Sequence, residues 1–169
     1  MSYLFNLDYA LTNFFNQLIP HNVFFNYLFS FFSLKAIFVV AWLLVVIISR
    51  KKRFIILFSL SLLLTFLFGD LILKNIFMRH RPIPILSCPI DFSFPSGHAS
   101  VAFAAATILA YFDKNRRWFY YLFAVLISYS RIYLGCHYFF DVIGGALVGY
   151  LISQLLLFAP DTFPSRRKN

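Results

Sequence analysis

Three short stretches of this sequence hold side chains of the kinds that bind and transfer a phosphoryl group. "KNIFMRHRP" (residues 74–82) sets Lys74 ahead of Arg81, with Pro82 directly behind it. "PSGH" (95–98) places Ser96 and Gly97 at the mouth of an apolar run, followed by His98. "SRIYLGCHYFFD" (130–141) carries Ser130 and Arg131, then His137, then Asp141. Arginine offers a planar fork of donors that matches phosphate oxygens, and lysine offers a point charge. Three such cations brought to one place suit a ligand with two or three negative charges.

Each residue also has a plainer reading. A lone Arg near a membrane boundary snorkels, Ser96 caps a helix, and a His at a helix end is structural. Together they point further. Pro95 biases Phe94 toward an extended backbone, and a helix opening after Ser96 presents unpaired N–H groups to an anion. Gly97 lets the backbone approach that anion closely. His137 and Asp141 stand at i and i+4, so they share a face if a helix starts there. A carboxylate on one imidazole nitrogen fixes the tautomer and leaves the other lone pair free to attack. His98 is then the acid for the leaving oxygen.

A zinc site built from His98, His137 and Asp141 is disfavoured. Three neighbouring cations repel a divalent metal, and Asp91 is the one further acid expected nearby. No metal or cofactor is expected. Asp70, one turn before Lys74, is expected to pair with it. Ser130 is expected to support its neighbours and His80 to be a loop residue; the role of Arg79 is open, contact with a second phosphate or a sugar being one that its chemistry allows.

The elements that must position these residues are membrane spans. The chain has 169 residues, 61% hydrophobic and 12% charged, with 24 Phe and no Glu. A soluble domain averages about 25% charged residues. Apolar runs at about 32–50, 54–76, 97–113, 117–134 and 138–158 approach the length a bilayer requires. The expected fold is all-α, a polytopic transmembrane bundle of about five spans in one domain. Residues 1–31 are read as interfacial helices, with a sixth span if one of them crosses, 32–158 as the bundle, and 159–169 as a basic tail. The net charge of +9 sits at span ends, so it is read as topology and not as a nucleic-acid surface. Arg50–Arg53, Lys114–Arg117 and Arg166–Lys168 follow alternate spans and mark the cytoplasmic side. Residues 77–96 and 131–137 then face outward, which leaves Arg79, Arg81 and Arg131 on the side where positive charge is disfavoured. Cys88 and Cys136 form no CxxC or metal-ligand run, and two unrelated free thiols are favoured over a disulfide.

The three motifs resemble the signature of the type 2 phosphatidic acid phosphatase family: Lys-x6-Arg-Pro, Pro-Ser-Gly-His and Ser-Arg-x5-His-x3-Asp. All positions are filled, by Lys74, Arg81, Pro82, Pro95, Ser96, Gly97, His98, Ser130, Arg131, His137 and Asp141. The resemblance implies a metal-independent lipid phosphatase with His137 as nucleophile, Asp141 orienting it and His98 as acid, then base. Lys74, Arg81, Arg131, Ser96 and the Gly97 amide would hold the phosphoryl oxygens. "HYFFD" lacks the proline the family often has between its third-motif His and Asp. The implied substrate is a membrane lipid phosphate such as undecaprenyl diphosphate, phosphatidylglycerol phosphate or lipid A 1-phosphate. The implied location is the outer face of a bacterial cytoplasmic membrane. A protein that binds or flips an anionic lipid without chemistry is the alternative, and a vanadate-dependent haloperoxidase a weaker one. The oligomeric state is not legible in the sequence.

Overall fold

The computed structural model describes residues 2–33, 40, 44, 49, 51–82 and 88–159. The span expected at 32–50 and the tail residues 160–169 lie outside them. The described residues form helices without a strand. They are α1 (Ser2–Gln17), α2 (Val23–Phe32), α3 (Lys52–Phe77), α4 (Gly97–Phe112), α5 (Arg117–Tyr133) and α6 (Phe139–Phe158). The last four match the spans expected at 54–76, 97–113, 117–134 and 138–158. At about 1.5 Å per residue, the 20 residues of α6 reach roughly 30 Å, the thickness of a bilayer's hydrocarbon core. In the apolar windows of α3 and α6 only 28% of residues are buried within the protein. The remaining apolar faces point outward, where lipid and not water can solvate them. The bundle is a transmembrane one.

The closest packing is between α4 and α6, and it depends on small residues. A Cβ on Gly149 would lie 2.0 Å from the Ser100 carbonyl oxygen, and one on Gly145 would lie 2.4 Å from that of Ser96. Gly145, Gly149 and Ser153 are buried at four-residue intervals and face the alanine-rich side of α4. Such small-xxx-small seams let two backbones meet where lipid offers no hydrophobic drive. Ser153 Oγ reaches Ser61 on α3 at 2.7 Å and the Ala104 carbonyl at 3.3 Å, so one hydroxyl ties three helices.

α3 is wound as a π-helix over Leu67–Leu73, immediately before Lys74. Such wide turns recur at functional sites. The helix ends at Met78 in the left-handed conformation, φ 44°. The ends of α3 and α5 and the starts of α4 and α6 meet at one end of the bundle. Lys51–Arg53 and Lys114–Arg117 mark the other.

α1 lies across that first end. Asn16 donates to the carbonyls of Ile132 (2.7 Å) and Tyr133 (2.9 Å) at the end of α5. Thr12 Oγ accepts the Phe139 N–H, and Asp8 Oδ1 the Phe140 N–H, both at 2.9 Å, at the start of α6. Helix ends leave such groups unpaired, so one amphipathic helix caps two others. Cys88 and Cys136 form a disulfide with Cα atoms 5.6 Å apart, correcting the expectation of two free thiols. The folding of loop 88–93 over turn 134–138 brings them together, and no local pattern reports that approach.

Candidate active site

The spacing between Arg131 and His137 has a local cause. α5 stops at Leu134, and Gly135 takes φ 70°, a conformation that costs glycine little. The chain doubles back, and the N–H groups of Cys136 and His137 both bond the Arg131 carbonyl, at 3.0 and 3.2 Å. His137 is thereby fixed against the end of the helix that carries Arg131. α6 starts two residues on, and the carboxylate of Asp141 in its first turn accepts the Tyr138 N–H at 2.9 Å. This is half of a capping box.

Lys74, Arg81, Gly97, His98 and His137 line a cavity of about 180 Å³, together with Asp70 and Asp91. Phe66 of α3 and Val101 of α4 form part of its apolar wall. Lys74 Nζ bridges Asp70 and Asp91, so the expected Asp70 partnership is present with a second carboxylate added. Arg81 bonds Asp91 Oδ1 at 2.6 Å, the Asp91 and Cys136 carbonyls at 2.7 Å each, and His137 Nε2 at 2.9 Å. Arg131 is buried and donates to Ser33 Oγ. His98 Nε2 lies 3.0 Å from the Ser33 carbonyl.

Other expected residues take quieter places. The Phe94–Pro95 peptide is cis, and Pro95 is fully buried. Pro82 lines a neighbouring surface hollow with His80. His80 is a loop residue whose carbonyl accepts from Ser93 Oγ at 3.2 Å. Ser130 turns back to the Ile127 carbonyl at 2.6 Å. The space a Gly97 side chain would need is filled by Asp70, whose Oδ2 lies 2.6 Å from an ideal Cβ there. Ser96 stands at the N-cap position of α4, but its hydroxyl makes no capping bond.

That hydroxyl belongs to a group. Five buried side-chain polar atoms lack a hydrogen-bond partner among the described residues: Thr65 Oγ1 and Ser128 Oγ outside the motifs, and Ser96 Oγ, Arg131 Nε and His137 Nδ1 within them. Native proteins rarely leave such atoms unpaired, and the last three lie on three motif residues. Burial, with the charges of Arg81, Arg131 and Lys74, holds the His137 imidazole well below its usual pKa and so neutral. Its Nδ1 faces Asp141 Oδ2 at 3.6 Å, longer than a hydrogen bond.

Sequence reasoning missed what occupies Asp141 instead. Arg79 Nη1 bonds Asp141 Oδ1 at 2.7 Å and Nη2 bonds Asp8 Oδ2 at 2.6 Å, while the guanidinium stacks 4.1 Å from the Tyr138 ring. Arg79, whose role the sequence left open, thus holds Asp141 and Asp8 behind the site. Four of the chain's six acidic residues, Asp8, Asp70, Asp91 and Asp141, pair here with Lys74, Arg79 and Arg81. The cations are therefore far better balanced than the motifs alone suggest. The available signal was a lone Asp in a helix without Lys or Arg.

Residues 54–163 match the PAP2 superfamily. The chain belongs to that superfamily. It is 31% identical over 132 residues to an undecaprenyl-diphosphatase of Sulfolobus acidocaldarius, covering 73% of this chain and 64% of that protein. It is 29% identical to a lipid A 4'-phosphatase of Bacteroides thetaiotaomicron, covering 98% of this chain and 82% of the relative. It is 34% identical to phosphatidylglycerophosphatase B of Bacillus subtilis, over 57% of this chain and 56% of that one. The chain thus spans between about half and four-fifths of these relatives' lengths. Among solved structures, LpxE of Aquifex aeolicus superposes with a TM-score of 0.74 at 26% identity, over 89% of this chain and 94% of that one. The transmembrane PAP2-type phosphatidylglycerolphosphate phosphatase of Bacillus subtilis superposes with a TM-score of 0.80 over 99% of this chain and 90% of that one. At 24% identity this second likeness is one of fold.

Proposed function

We propose that this PAP2 protein is a metal-independent phosphatase acting on a lipid phosphomonoester or diphosphate through a phosphohistidine intermediate. The observation that carries the reading is the set of unpartnered buried atoms on the motif residues Ser96, Arg131 and His137, the last of which lines the cavity with Lys74, Arg81 and His98. In the first step His137 Nε2 attacks phosphorus, the bond to the leaving oxygen breaks, and His98 supplies that oxygen's proton. In the second, His98 takes a proton from water, which attacks the phosphohistidine and releases phosphate with His137 restored. Neutral His137 has the lone pair the first step needs. Arg81, which meets Nε2 at 2.9 Å, moves its donors onto the phosphoryl oxygens when substrate enters. Lys74, Arg131, Ser96 and the Gly97 amide complete the electrostatic clamp, commonly the largest catalytic contribution. Asp141 orients His137 through Nδ1, the 3.6 Å gap closing as the phosphoryl group forms.

The apolar side of the cavity, Phe66 and Val101, suits a lipid whose tails stay in the bilayer. The names of the relatives cover polyprenyl, lipid A and glycerophospholipid head groups, so the proposed substrates are undecaprenyl diphosphate, phosphatidylglycerol phosphate and a lipid A phosphate. The site lies at the bundle end opposite Lys51–Arg53 and Lys114–Arg117. By the positive-inside rule, the proposed location of the site is the outer side of the cytoplasmic membrane. The test is phosphate release from those three lipids by purified protein in detergent. At least one is hydrolysed without added metal, and His98→Ala abolishes the release. Binding of the lipids without release of phosphate would instead support an anionic-lipid carrier.

A further inference from the structure

The carboxylates around the site differ in how easily they can leave it. Asp91 spans the two cations assigned to the phosphoryl group, Oδ2 on Lys74 and Oδ1 on Arg81, as two oxygens of a phosphate would. Its side chain is 47% exposed, against 19% for Asp70 and 0% for Asp141. Its departure leaves neither cation stranded. Lys74 keeps Asp70, which is wedged against Gly97. Arg81 stays anchored by the backbone carbonyls of Asp91 and Cys136, both at 2.7 Å. The backbone around Asp91 is tied on both sides, by the Cys88–Cys136 disulfide and by the Ser93 N–H to Arg79 carbonyl bond at 2.8 Å. The exchange therefore needs no loop movement, only rotation of the Asp91 side chain and a small turn of the Arg81 donors.

We propose that Asp91 is an internal stand-in for the phosphoryl group, displaced by substrate and returning as phosphate leaves, and that it discriminates against phosphodiesters. The inference rests on the reading of this cavity as a phosphoryl site. A membrane presents that site with a large excess of singly charged diester head groups. Asp91 carries the same single charge and is tethered beside its cations, so its effective concentration exceeds that of any free monoanion. A diester gains nothing by exchange. A phosphomonoester or terminal diphosphate brings a second charge and an extra oxygen for Arg131 and Ser96, and it wins. Specificity of this kind comes from a competitor built against the wrong ligand. Lys74 and Arg81 outweigh partial burial and hold Asp91 at a pKa of about 2, so the competitor is charged throughout the working range.

The test compares wild type, Asp91→Asn and Asp91→Glu in mixed micelles. Inhibition of lipid-phosphate hydrolysis is measured with inorganic phosphate and with phosphatidylglycerol as the diester, and phosphate binding is followed directly by titration calorimetry. Asp91→Asn is expected to bind phosphate about two- to fivefold more tightly, the size of a partly exposed ion pair. The diester should become a competitive inhibitor of this variant, with kcat lowered by slower product release. Asp91→Glu keeps the charge and should discriminate like wild type. Unchanged or weaker phosphate and diester binding in Asp91→Asn overturns the proposal while leaving the phosphoryl site intact. Equal behaviour of the Asn and Glu variants overturns it too, because charge would not be the cause. If phosphate binds none of the three proteins, the site reading fails and the proposal with it.

Discussion

Two groups of ion pairs flank His137, one in front and one behind, and they use the same chemistry for opposite ends. In front, Asp91 meets Lys74 and Arg81 with about half of its side chain exposed. Behind, Arg79 joins Asp8 and Asp141, whose side chains are 2% and 0% exposed. A partly hydrated pair is weak and exchangeable, because water compensates either partner when they separate. A buried pair cannot be opened cheaply, since the partner left behind is an uncompensated charge. Exposure, more than residue type, thus separates the group proposed to trade ligands from the frame that holds the proposed nucleophile.

The largest effect should come from the frame. Arg79→Ala strands two buried carboxylates and should destabilise the protein by about 3–5 kcal/mol, read as a fall in unfolding temperature in detergent. Arg79→Lys, which keeps one charge but loses the fork, should recover part of that loss. If Arg79→Ala unfolds like wild type, the frame is no frame. Next comes the covalent tie between the two loops. Replacing Cys88 and Cys136 by Ser should cost about 2–4 kcal/mol in the same assay.

A smaller effect follows pH. His137 binds its proton less readily in the fold than in the unfolded chain, so stability should be full above pH 6.5, the ordinary His value, and decline below it. The unfolded chain takes up a proton there that the folded site refuses. His137→Asn should remove that part of the slope, and an identical slope in the variant would assign it elsewhere. The smallest effect belongs to the front. A double-mutant cycle between Asp91 and Arg81 should give a stability coupling of about 1 kcal/mol or less, well below a cycle between Asp8 and Arg79. Equal couplings would erase the distinction between the two groups.

Much of this could be read from the chain, for identifiable reasons. The ends of α3 to α6 follow from apolar runs bounded by charge, because a bilayer imposes length on each span independently. The front residues announced themselves because Lys74, Arg81, Arg131 and His137 stand at fixed spacings beside helix ends. The frame did not. Asp8 and Arg79 are far apart in sequence and meet only when α1 lies across α5 and α6, a matter of packing that hydropathy does not encode. The same holds for Cys88 and Cys136. Gly145 and Gly149 carried a readable small-xxx-small spacing, but which helix they would face was settled only by the seam with α4.

The most direct test is to ask where the phosphoryl group goes. Purified protein is incubated briefly with a lipid substrate radiolabelled in its terminal phosphate and quenched in alkali, where phosphohistidine survives. The wild-type protein should carry label that acid removes, and His137→Asn should carry none and release no phosphate. Full turnover by His137→Asn, or equal label on both proteins, would contradict the account.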